Sequence, residues 1–142
     1  MRPERGTTLL LFPAAVMVIL VLGAVAVDLG QLQLAHREMV REVGSAADDA
    51  AQRIDLDALR RTGEIHIDLA RARATALDEL AHASLPGRPD GVPSVTLGET
   101  PGTVVVVATR EVDHLFGRSI PGVPASERIT VRLVGSIETV QS

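Results

Sequence analysis

The chain has 142 residues, 14 basic against 18 acidic with a formal net charge of −4, and no cysteine. That length leaves room for one compact domain once an apolar segment is set aside, and the lack of cysteine excludes disulfides, thiolate nucleophiles and cysteine-bound zinc. Mild acidity and only two aromatic residues, Phe12 and Phe116, argue against a basic, base-stacking nucleic-acid surface, and with arginine as the sole basic residue type there is no lysine for Schiff-base chemistry.

Residues 1–6, with Arg2 and Arg5, form a short basic tail. Thr7 to Val27 is then free of charge over 21 residues, which as a helix spans about 31 Å and matches a hydrocarbon core of about 30 Å. Pro13 sits early in the run, where its missing N–H costs least, and Gly23 is tolerated in membrane helices. Three readings of this start stay open. A retained anchor keeps the whole run. A secretory signal ends at the small-x-small site Ala24-Val25-Ala26, with cleavage after Ala26. A pilin-type trimming cuts between Gly6 and Thr7.

The apolar pattern favours retention, because it does not stop at Ala26. Leu22, Val25, Leu29, Leu32, Met39, Val43, Ala46, Ala50 and Ile54 mostly keep a step of three to four or seven residues, as one helix would through both halves. The expectation is a transmembrane helix over 7–27 and a stalk helix over 28–54 that projects from the membrane. Leu29, Leu32, Met39, Val43, Ala46 and Ala50 would be its packing or assembly face. Asp28 marks the bilayer surface, since a carboxylate deeper in hydrocarbon is costly. The arginine balance, Arg2 and Arg5 before the run against Arg37 and Arg41 after it, is nearly even. The short amino-terminal tail leans the orientation to amino terminus inside and body extracytoplasmic.

Beyond the stalk, 55–142 reads as a small α+β domain. Thr62-Gly63 is a helix stop or turn, Ile65-His66-Ile67 a short extended piece, and Asp68 an N-cap for a second helix from Leu69 to about Ala83. Leu69, Ala72, Ala76, Leu80 and Ala83 would bury its inner face, joined by Leu77. Pro86 to Pro93, PGRPDGVP, reads as a loop. Three antiparallel strands are expected at Ser94 to Gly98 with Val95 and Leu97 inward, at Thr103 to Thr109, and at Ile129 to Ile137 with Ile129, Val131, Leu133 and Ile137 on one face. GETPG would turn the first hairpin, and a wide Gly- and Pro-rich excursion would separate the last two strands. The valine run of the middle strand belongs at the sheet centre.

No constellation for chemistry is apparent. His36, His66, His82 and His114 fall on separate elements without a two-histidine metal spacing. The acidic residues Asp48, Asp49, Asp55 and Asp57 lack the frame of a calcium loop. No serine lies in a nucleophile elbow, and Glu64, Asp68, Glu111 and Asp113 read as caps and strand-edge charges. The expectation is no enzyme, no cofactor, no metal and no small-molecule substrate. His114-Leu115-Phe116-Gly117 is the one apolar-aromatic island in a loop; a core plug under a turn is favoured over an exposed partner contact.

The segment RGTTLLLFPAAVMVILVLGAVAVDLGQLQLAHREMVREVGSAADDAA resembles the amino terminus of TadE/TadG-like proteins of the Tad (Flp) pilus-assembly system, on the TadG-like side. The matching pieces are Arg5-Gly6, the apolar span with Gly23 and the acidic Asp28, Gly30, and Ala46 to Ala51 as AADDAA. The resemblance implies a pilin-like fold and a protein held in the cytoplasmic membrane by its first helix. Its partners would be membrane lipid and other pilus or secretion-apparatus proteins met through that helix, making it a minor-pseudopilin-like structural or assembly component. Pilin-type members carry a glutamate five residues after their cleaved glycine. The corresponding residue here is Leu11, which points to an uncut anchor. Two alternatives remain: a single-pass envelope protein that binds another protein or wall component without any pilus, and a secreted small protein released after Ala26.

Overall fold

The computed structural model describes residues 5–117 and 122–137, with side chains from Leu11 onward. Arg2 and the rest of 1–4 in the basic tail, the serines at 119 and 142, and the last residues of the expected body lie outside the described residues.

One unbroken helix, α1, runs Arg5–Ala51 and includes Pro13. Its two halves live in different surroundings. From Leu11 to Val27 its large apolar side chains are 40% to 74% exposed. From Ala35 onward its inner face, Ala35, Met39, Val43, Ala46, Ala47, Ala50 and Ala51, is buried. The segment expected to project as a stalk is therefore the central helix of the body. The period of the apolar stripe was right, but what covers it is this chain's own sheet and third helix.

The expected packing face is buried except at its start. Met39, Val43, Ala46 and Ala50 are buried and Leu32 is partly so, whereas Leu29 stays exposed, because the sheet covers the helix only beyond that level. Ile54 lies past the helix end and forms an isolated antiparallel bridge with Ile67.

A short helix unforeseen in the sequence, α2 (Leu56–Thr62), follows. Asp55 caps it by accepting from the Asp57 and Ala58 amides, and Gly63 ends it at φ 75°, a left-handed conformation that suits glycine. None of its residues is buried, so no apolar stripe announced it. The third helix, α3 (Leu69–His82), starts at the expected cap, Asp68, whose carboxylate accepts from the Arg71 amide. It buries Ala72, Ala76 and Leu80; Leu69 remains exposed at its first position, and Leu77 and Ala83 are half-buried.

The sheet has four antiparallel strands, β1 (Arg88–Pro89), β2 (Ser94–Leu97), β3 (Thr103–Asp113) and β4 (Ser126–Ser136). β3 is central, as its valines require: β4 pairs along one side from Thr103↔Ser136 to Asp113↔Ser126, and β1 and β2 share the other. Both long strands outrun expectation because polar residues extend them through cross-strand partners. Ser126 Oγ–H donates to Glu111, and Arg88 pairs with Asp113 at 3.1 Å. The two-residue β1 lies inside the proline-rich loop, held there by Arg110, which donates to the Leu85, Pro86 and Gly87 carbonyls.

Helices α1 and α3 cover one face of the sheet. Alternate residues of β3 and β4, including Val104, Val106, Ala108, Ile129 and Val131, meet them, with Leu133 partly buried against the same core. Leu97 is not inward: it borders an open groove with Ile65 and Ile67 at the hairpin end. Helix and sheet come close at Gly135, where a Cβ would lie 2.0 Å from the Ala47 carbonyl oxygen. Only glycine fits there.

Candidate functional site

The β3–β4 connection returns to α1 at the point where the apolar run ends. Asp28 projects from the helix and is buried to 8% exposure. Three successive backbone amides of the loop close around its carboxylate. Leu115 N–H donates to Oδ1 at 2.9 Å, Phe116 N–H to both oxygens at 3.1 and 3.3 Å, and Gly117 N–H to Oδ2 at 2.8 Å. His114 Nδ1 stands 3.9 Å from Oδ2, and its Nε2 lies 4.0 Å from Glu127.

Burial works to raise the Asp28 pKa, but the amide bonds from Phe116, Gly117 and Leu115, with the nearby His114, outweigh it and leave the pKa below its ordinary value. A carboxylate so fully engaged is a poor proton carrier. What it can do is fasten a loop to a helix. A Cβ added at Gly117 would crowd the side chains of His114 and Val123 at 3.1 to 3.2 Å.

The loop's side chains point elsewhere. Phe116 and Leu115 are each 47% exposed and Val123 42%. The island is therefore not a core plug. Its backbone, rather than its ring, makes the anchoring contacts. With Ala24, Val25, Leu29 and Leu32, Phe116 and Val123 line an apolar groove of about 160 Å³.

The remaining expected site positions are distributed along α1. Gly6 and Thr7 lie in its first turns, and Leu11 is exposed. Ala24 and Ala26 fall inside the continuous helix, Ala24 half-buried beside the groove. The latch itself was missed in the sequence reading, although both of its parts, Asp28 and HLFG, stood out separately. Nothing local links residues 87 to 89 positions apart.

A second, more polar surface lies between α1 and α3. Glu42, Asp49, Asp78 and Glu79 gather there with Arg53 and His82 around an open depression. Desolvation pushes the Glu79 pKa up; a Ser45 hydrogen bond opposes this, and Asp49 and Glu42 add to it. Among the described residues no three histidine or carboxylate side chains are placed to hold a metal ion. Comparison with known proteins returns no matching family model, no matching curated protein and no matching solved structure.

Proposed function

We propose that this chain is a membrane-anchored structural or assembly component, minor-pseudopilin-like, of a Tad-type pilus or secretion apparatus. The observation that carries the reading is the division of α1. An apolar half that the described residues leave largely exposed continues without a break into a half that forms the spine of an α+β body. A helix so exposed and apolar over residues 11–27 needs a bilayer or other apolar helices around it. A long helix with an antiparallel sheet packed on its second half is also the layout expected of a pilin-like subunit, and the resemblance of the start to TadG-like proteins supports the choice of machine. The body would sit on the extracytoplasmic side.

Deleting the gene tests this reading. Loss of surface pili or of secretion through the apparatus is the expected result, restored by the full-length chain. Intact assembly in the deletion strain would sink it.

Leu11 favours a second reading, an uncut single-pass envelope protein that binds another protein or wall component and never enters a fibre. An apolar residue at that position gives no carboxylate to meet a neighbour's new amino terminus. Crosslinked partners drawn wholly from outside any pilus apparatus would select it. Recovery of the chain from the medium without residues 1–26 would instead select the secreted form.

A further inference from the structure

We infer that the turn at 115–117 fastened to Asp28, with Val123 beside it, is an interfacial wedge, inserting Leu115, Phe116 and Val123 into the lipid surface on which the body stands. The inference rests on the reading of residues 7–27 as a membrane span, and adds a second lipid contact to it.

Depth along the helix makes the case. Phe116 lines the groove together with Ala24 and Val25, which lie three to four residues before Asp28, about 4 to 6 Å back toward the amino terminus. If the apolar run fills the hydrocarbon up to Val27, the Phe116 ring stands level with the last turn inside it. Leu115 and Val123 are exposed on the same loop. A loop at that depth must satisfy its backbone polar groups internally, and three of its amides are taken by Asp28. The latch thus lowers the cost of placing both a carboxylate and an irregular backbone at the interface. The bordering acids are matched, Asp113 by Arg88 at 3.1 Å and Glu127 facing His114 at 4.0 Å, so the described part of the loop offers apolar side chains rather than a cluster of free cations, and zwitterionic lipid is the surface that suits it.

The sequence contains no tryptophan, so a single introduced one reports alone. Full-length Phe116→Trp, Leu115→Trp, Leu20→Trp and Thr100→Trp are reconstituted in phosphatidylcholine vesicles with brominated acyl chains. Thr100 is exposed in the β2–β3 hairpin, at the far end of β3, about 35 Å from the loop. Both loop variants are expected to emit to the blue of Thr100→Trp. Shallow bromines should quench them roughly twofold more than Thr100→Trp, as for an interfacial side chain, and acrylamide should quench them less. Leu20→Trp is expected to respond to deep bromines. Either loop variant suffices if the other does not fold. Loop tryptophans that match Thr100→Trp while Leu20→Trp is quenched overturn the wedge and leave the anchor standing. Shielding of the loop from both lipid and acrylamide also overturns it, since a second copy or another protein then covers the loop. Escape of Leu20→Trp from lipid quenching overturns the anchor reading, and the wedge with it.

Discussion

Asp28 and Gly117, 89 positions apart, are joined by a 2.8 Å hydrogen bond from the Gly117 amide to the Asp28 carboxylate. This bond, with its neighbours from Leu115 and Phe116, closes the body against the helix where the apolar run ends. Asp28→Ala should leave the helix and sheet content intact, yet speed amide exchange at 115–117 and lower the melting temperature. Hydrogen exchange by mass spectrometry reads this directly; unchanged protection of those amides would remove the latch from the account.

The same contact sets a pH dependence. The folded-state pKa of Asp28 is held below its ordinary 3.8, so the folded state binds its proton less readily than the unfolded state. The stabilisation is present above the unfolded pKa and is lost as pH falls through the folded one. Protection at 115–117 should therefore hold at neutral pH and decline below about pH 4. In Asp28→Asn that acid limb should flatten, with lower protection throughout.

Glu79 behaves with the opposite sign. Desolvation raises its folded-state pKa, so the folded state holds the proton more tightly than the unfolded state. Its contribution to stability is fully present below the unfolded pKa and is lost as pH rises through the folded one. Glu79→Gln should melt higher than the parent at neutral pH, with the gain vanishing below pH 4.5, the ordinary value for this side chain. Parallel melting curves across that range would contradict the assignment.

Layer contact at Gly135 gives a steric test. Its added Cβ would meet backbone atoms of Ala47 and Asp48 at 2.0 to 2.6 Å, so helix and sheet must separate. Gly135→Ala should cost about 1–3 kcal/mol in denaturant unfolding. Gly30→Ala, where nothing lies within 4 Å, should be neutral or stabilise α1 by up to about 1 kcal/mol.

The division of α1 can be measured by truncation. Met39 is fully buried, so Met39→Ala should destabilise the body by about 2–5 kcal/mol. Leu20, 63% exposed within this chain, should leave body stability unchanged when replaced by alanine. Equal losses at both positions would mean that the first half of the helix is covered by the body.

Much of this arrangement was legible because it is written in local chemistry. The uncharged run and the stripe from Leu32 to Ala50 read as one helix, Asp68 and Gly63 as a cap and a stop, and the valines between Thr103 and Thr109 as the central strand. The parts that escaped depend on partners far along the chain. Arg110, Glu111 and Asp113 look like the end of a strand until their contacts with Gly87, Ser126 and Arg88 are seen. Phe116 looked like a core residue because periodicity says nothing of depth in a loop. Asp28 stands out as the first charge after the apolar run, but an isolated carboxylate does not disclose the three amides that hold it.

The claim that joins these findings is that the apolar half of α1 is retained. Mass spectrometry of the chain extracted from membranes tests it most directly. The expected species is uncut after Gly6 and after Ala26, with residues 7–27 still joined to Asp28. A membrane species beginning at Thr7 would contradict it in favour of pilin-type processing, and a species beginning at Val27 would replace the anchor with a cleaved signal.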